Sequence, residues 1–169
     1  MTEQRFDPYA TLEALEGRGV AYVLIGAFAR VVQGTEELTR GLDLAPSLHG
    51  DNLRRLALAL DDLEAARGDG EPIALDAATI RVEPVIELRT RGGEVKIVPD
   101  PSGTRGGYDD LRRAASREPL GRGLRPLVAS IGDLARMAAA LGREQDLTPL
   151  RQLRILADLD RSRGRAIER

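Results

Sequence analysis

The chain has 169 residues, 42% of them hydrophobic and 31% charged, with aromatics at 3% and a formal net charge of −2. That length holds one domain with a real core, and the near-neutral charge supplies no global basic field to draw nucleic acid or an anionic membrane. Without cysteine there is no disulfide, thiolate metal site or cysteine nucleophile, and no apolar run approaches the roughly 18 residues needed to span a bilayer.

The opening MTEQRFDPYATLEALEG is polar and charged and is no signal peptide, so the expected setting is cytoplasmic. Asp7-Pro8 starts a helix: a capping aspartate, proline at the first helical position, apolar residues at helical spacing, then glycine at the stop. The short apolar run AYVLIG, 21–26, predicts a strand buried on both faces. AFARVVQG predicts a short helix closed by Gly34, and TRGLDLAP carries a strand, LDLA, stopped by Pro46.

Asp51-Asn52 opens a long helix whose leucines at 53, 56, 60 and 63 form one apolar stripe. GDGEPIALDAA reads as a loop, and TIRVEPVIELRT and GEVKIVP read as strands of a hairpin or meander around Arg91-Gly92-Gly93. After the turn-rich DPSGTRGG come a helix, YDDLRRAA, and a last short strand, LRPLVAS. Ser130 caps the helix IGDLARMAAALG, and the tail from Asp146 is amphipathic, with leucines at 147, 150, 153, 156 and 159. The order predicts a mixed α/β (α+β) domain spanning 1–169, its core over about 10–130 and a C-terminal helical part over about 131–165.

Several elements together are more specific than any one. A buried strand ends in Gly26-Ala27, a short helix runs to Gly34, and Thr39-Arg40 leads into Gly41-Leu42-Asp43. The hairpin with GEVKIVPDPSG follows, then YDDLRRAA and VASIGDLARMAAALGREQDL. Over about residues 10–156 this resembles the minimal nucleotidyltransferases of the DNA polymerase beta superfamily, especially small bacterial ones that accompany toxin–antitoxin and abortive-infection systems. The resemblance implies the nucleotidyltransferase fold, with a mixed sheet flanked by helices. It also implies a Gly-Gly or Gly-Ser pair after the first strand, Asp-x-Asp on the second, and a third aspartate on a later one. Such carboxylates hold two divalent cations that clamp the attacking and leaving oxygens. Residues i and i+2 of a strand point to one face, so Asp-x-Asp places both acids on the metal pair.

The match here is incomplete. Gly26 stands at the first glycine and Ala27 at the second small residue. Asp43 is the second acid of the pair, Gly41 replaces the first, and Lys96 occupies the third carboxylate position. Ala138 and Gln145 stand where the family commonly has lysines, while Arg143 and Asp146 remain. Three carboxylates carry −3; Gly41, Asp43 and Lys96 together carry zero. An ammonium about 4 Å from a divalent cation repels it by of order 8 kcal/mol at an effective dielectric constant of about 20. Lys96 is also the one lysine of the chain, and it either pairs with Asp43 across the strands or is a solvated strand residue. A relocated acid is the competing source of ligands: Glu94 shares a face with Lys96, and Glu83 and Glu87 share one in the preceding segment.

The expectation is therefore a nucleotidyltransferase-fold pseudoenzyme acting as a binding or regulatory module. Gly26, Ala27 and Arg40 are its candidate nucleotide-binding positions. Asp43 is the remnant catalytic and metal-ligand position, with no bound metal and no cofactor expected. The alternative is an active enzyme of toxin or resistance type, using Mg2+ to transfer NMP from NTP to RNA, protein or a small molecule. A third reading is a partner-binding protein of a two-component system. The expected partners are a nucleotide or RNA end at the cleft, or a protein partner through the C-terminal helices, and no membrane. His49 and Ser130 read as surface and capping residues, and RSRGRAIER as a solvated basic end in which RNA contact is a weaker reading.

Overall fold

The computed structural model describes residues 5–167. Helix α1 (Pro8–Gly17) starts as its sequence dictates, with Asp7 accepting hydrogen bonds from the Tyr9 and Ala10 amides. Strand β1 (Tyr22–Ile25) is buried throughout and passes directly into α2 (Gly26–Gln33), which Gly34 closes in the left-handed conformation. Strand β2 (Gly41–Pro46) leads to α3 (Gly50–Asp62), whose Leu53, Leu56 and Leu60, with Leu63 just beyond, are buried along the expected stripe.

The middle of the chain departs from the sequence reading. The long helix stops at Asp62, and Ala66–Arg67 forms a short strand, β3. TIRV, expected as strand, is the body of helix α4 (Ala77–Val82). Asp76 decides this locally by accepting from the Ala78 and Thr79 amides and the Thr79 hydroxyl. That N-cap outweighs the β preference of Thr79, Ile80 and Val82. The strand begins only after Pro84, as β4 (Ile86–Thr90), and turns through Arg91-Gly92 into β5 (Gly93–Ile97).

YDDLRRAA contributes only the four-residue helix α5 (Tyr108–Leu111), followed by β6 (Ser116–Arg117) and β7 (Leu127–Val128). Ser130 accepts from the Asp133 amide and caps α6 (Ile131–Leu141), as expected. A short 3-10 turn (Glu144–Asp146) enters α7 (Leu147–Ile167), which takes in most of RSRGRAIER, with Glu168 and Arg169 outside the described residues.

The strands form one seven-stranded sheet in the order β3-β4-β5-β2-β1-β7-β6. β2 lies at its centre, antiparallel to β1 and parallel to β5. The core is aliphatic, built on Leu24, Leu42, Leu44, Val95 and Ile97 from the central strands with leucines of α1 and α3. α1 packs on α3, while α2 rests on β1, β2 and α6, and α6 rests on α7. Of the tail leucines, 150 and 153 are buried, whereas Leu147 and Leu159 are about half exposed. Among the described residues no helix is long and apolar enough to cross a membrane.

Candidate active-site cleft

Alternation along β2 sets the site. Leu42 and Leu44 point into the core, so Gly41 and Asp43 face the other way, toward a cleft. The register places Ile25 of β1 and Lys96 of β5 on either side of Asp43, and Glu87 of β4 beyond Lys96. The face thus carries a row of carboxylate, ammonium and carboxylate across three strands. Lys96 stands beside Asp43, but the contact it makes is the other one available, with Nζ 3.6 Å from Glu87 Oε1. Among the described residues the Asp43 side chain has no hydrogen bond and no ion pair, so of the two alternatives for Lys96 the pairing with Asp43 is not formed. The physical reason is solvent: Glu87 is 71% exposed, and the ammonium reaching toward it stays hydrated.

The turn from β1 into α2 brings Gly26 against Asp43. Gly26 has φ +72°, and a Cβ there would lie 2.2 Å from Asp43 Oδ2, so both backbone conformation and space require glycine. Gly41 is constrained differently. A Cβ on it would lie 2.3 Å from the Glu94 carbonyl oxygen and 2.8 Å from the Glu94 carbonyl carbon. The neighbouring strand's backbone fills the space through which an aspartate at 41 would have to leave the main chain.

Under the cleft lies an ion network that sequence reasoning missed. Arg30 of α2, with 7% of its side chain exposed, holds Glu37 at 2.7 Å and reaches Asp146 at 3.5 Å. Asp146, itself 3% exposed, is gripped by Arg143 at 2.6 Å, and Thr35 donates to Glu37. Burial works against the Arg30 charge, but Glu37, Asp146 and Asp43 more than offset it and raise its pKa. The retained Arg143 and Asp146 are thereby structural, tying the start of α7 to α2. Nothing in the spacing of Arg30 and Glu37 marks them; the one available signal is an arginine on the otherwise apolar helix GAFARVV.

Two cavities open on Asp43 and share Gly26, Arg30, Lys96 and Arg143. One, of about 210 Å³, is polar and extends to Ala27, Arg40, Gly41, Glu94 and Gln145. The other, of about 280 Å³, runs under α6 and is walled by Val85, Val98, Leu134, Met137, Ala138 and Leu141. The residues singled out from the sequence (Gly26, Ala27, Arg40, Gly41, Asp43 and Lys96) therefore meet in one place. Glu94 and Glu87 are there too, but Glu83 is not a strand residue and is engaged by Arg67 at 2.9 Å. His49 sits exposed at the start of α3, away from Asp43, and makes no side-chain cap.

Burial pushes the Asp43 carboxyl pKa up, with Lys96, Arg30 and Arg143 opposing the shift and Glu87 adding to it. Among the described residues no group of three or more His, Asp or Glu side chains could hold a metal ion. The carboxylates that line the two cavities, Asp43, Glu87, Glu94 and Asp100, form no such group, and Asp43 is bracketed by an ammonium and two guanidinium groups, so the donor set does not fit a pair of divalent cations.

The chain resembles solved structures with this architecture. LnuA, a lincosamide antibiotic adenylyltransferase bound to lincomycin, aligns over 88% of this chain and 95% of its own, with TM-score 0.60 and 15% identity. A candidate nucleotidyltransferase from Thermotoga maritima aligns over 89% of this chain and 95% of its own, with TM-score 0.58 and 14% identity. No protein-family model and no curated protein matches the chain. The fold is that of the nucleotidyltransferases.

Proposed function

We propose that this nucleotidyltransferase-fold protein no longer performs metal-dependent nucleotidyl transfer and works as a binding module through the cleft around Asp43. The observation that carries the reading is the row Asp43, Lys96, Glu87: an ammonium stands beside the carboxylate that the central strand turns toward the cleft. Two-metal chemistry needs clustered carboxylates on a dry, shaped face. A cation replacing one of them removes a ligand and opposes the metal's charge.

Gly41 supports the same reading from sterics. The missing acid is not an open vacancy, because the Glu94 backbone occupies the path of its side chain. Loss of the ligand and closure of its space go together, as they would where the strands have settled into a metal-free arrangement. Binding then falls to what remains: Arg40, Lys96 and Arg143 as cations, Asp43 as acceptor, and the backbone around Gly26 and Ala27.

A second reading is favoured by one observation, the position of Glu94 directly beside Gly41. In it, Asp43 and Glu94 serve a single Mg2+ and the protein transfers a nucleotidyl group to a small acceptor; LnuA is an adenylyltransferase with lincomycin bound. The deciding experiment is incubation with each labelled NTP and Mg2+ or Mn2+, followed by detection of label in protein, RNA or small molecules. The binding-module reading expects no transfer with any NTP. Transfer that depends on the metal and is abolished by Asp43→Asn establishes the second reading.

A further inference from the structure

We infer that the cleft is part of a longer groove that takes an extended polypeptide segment of a partner protein, with a lysine or arginine side chain at Asp43 and apolar side chains to either side. This rests on the binding-module reading above and adds the class of the partner. Four cavities share their walls in sequence. The two that open on Asp43 join through Gly26 and Lys96. The one under α6 meets a third, of about 470 Å³, at Pro84 and Asp100. The third meets a fourth, of about 290 Å³, at Leu48, Arg81 and Gly106, and the fourth reaches His49 and Tyr108. The first has no wall in common with the third, nor the second with the fourth, so the row is linear. A linear row suits a chain better than a compact molecule.

The walls carry apolar side chains that the fold leaves in water. Leu38 is fully exposed in the polar cavity, Val85 and Leu141 are about half exposed in the cavity under α6, and Val82 is 76% exposed in the third. Large apolar side chains gathered along one groove mark a contact surface, and their spread over three cavities asks for apolar groups at several points of the occupant. The charge of the occupant follows from which groups are already engaged. Under α6, Arg30 and Arg143 are held by Glu37 and Asp146, and Lys96 lies against Glu87. Asp43 and Asp100 in the same wall, and Glu94 in the polar cavity, have no ion pair among the described residues. The groove's cations without an ion pair there, Arg40 and Arg81, both stand outside the cavity under α6. The middle of the groove is therefore acidic. It repels a nucleic-acid backbone and attracts an ammonium or guanidinium, to which the free Asp43 oxygens offer a charge-assisted hydrogen bond.

The test exposes the full-length protein, in EDTA, to a phage-displayed library of random peptides. Enriched peptides are synthesised and titrated by calorimetry, with a short oligouridylate alongside. Enriched sequences are expected to share a lysine or arginine among apolar residues, and glutamine in place of that basic residue weakens the peptide. Asp43→Asn weakens it about 5- to 10-fold, for the loss of a charge beside a partly hydrated cation. Val82→Ser, in the third cavity, weakens it about 2- to 5-fold for the apolar area lost. Neither change disturbs the core, since Val82 is exposed and asparagine is close in shape to aspartate. Leu58→Ser, at an exposed leucine of α3 outside the groove walls, leaves binding unchanged.

No enrichment, enriched sequences without a basic residue, or peptide binding indifferent to Asp43→Asn or to Val82→Ser overturns the inference. Oligouridylate binding that the same two variants weaken overturns it in favour of a nucleic-acid groove. A dimer of the free protein that either variant dissociates overturns it in favour of a second copy. Failure of peptide binding in a protein that neither holds Mg2+ nor transfers nucleotide overturns this inference alone. Peptide binding that requires Mg2+, or metal-dependent nucleotidyl transfer, overturns the reading beneath it.

Discussion

Replacing Gly41 by alanine isolates the steric claim from every question of charge. The new Cβ would lie 2.3 Å from the Glu94 carbonyl oxygen and 2.8 Å from both its carbonyl carbon and its Cβ. Gly41 has no left-handed φ, so the backbone itself accepts alanine, and the lost flexibility of the unfolded chain favours the variant by about 0.4–1 kcal/mol. Against this, β2 and β5 must separate by about 1 Å to restore ordinary contact, which stretches ladder hydrogen bonds beyond their useful length. Overpacking of this kind costs about 1–3 kcal/mol, and each weakened hydrogen bond adds about 0.5–1.5 kcal/mol. The net expectation is a loss of about 2–3 kcal/mol. Urea unfolding at fixed pH measures it as a lower midpoint with unchanged slope, and the melting temperature falls by about 5–12 °C for a chain of this size. Gly17→Ala is the control, since a Cβ there meets nothing within 4 Å. If Gly41→Ala is as stable as the parent while Gly17→Ala behaves normally, the strands do not close over position 41. The account of the missing carboxylate then fails.

Other predictions follow from the buried groups. Asp43 has a native pKa above its ordinary value, so the folded state binds more protons than the unfolded chain between those two values. Stability therefore falls as pH rises through that window, and the penalty persists above it. Asp43→Asn is expected to stabilise the fold at pH 7 by about 1 kcal/mol, and the gain should vanish below about pH 3.9; melting curves at both pH values check this. Asp146→Ala removes the partner shared by Arg143 and Arg30, but Arg30 keeps Glu37 and Arg143 is half exposed, so the cost in denaturant unfolding should be about 1–3 kcal/mol. Truncation after Ala157 removes only exposed positions of α7 and should change stability by less than about 1 kcal/mol, whereas Leu153→Ala, fully buried, should cost about 2–5 kcal/mol.

Local patterns carried much of the architecture in the sequence. Asp7-Pro8, Gly34, Ser130 and the leucine stripe at 53, 56 and 60 of α3 each announce their element through a local physical preference, and each element forms where that preference acts. β2 was legible by alternation, and with it the face on which Asp43 and Gly41 stand. TIRV was misread because β-branched composition was weighed and the cap at Asp76 was not. The short strands β3 and β6 carry no pattern at all, since two residues cannot show a period. Within the cleft, the sequence placed Asp43 and Lys96 together but not the partner of the lysine, because Glu87 becomes its neighbour only through antiparallel pairing of β4 with β5. The Arg30 network joins residues more than a hundred positions apart, a proximity no local pattern encodes. The closure over Gly41 is likewise a property of two strands, invisible in either alone.

The central claim, that the Asp43 cleft does not hold divalent metal, is tested most directly by titrating Mn2+ into the apoprotein. Free ion is followed by electron paramagnetic resonance, with Asp43→Asn measured in parallel. The account predicts no site tighter than about 1 mM, a free energy of only about −4 kcal/mol, and identical curves for parent and variant. A saturable site well below that concentration, lost in Asp43→Asn, would contradict it.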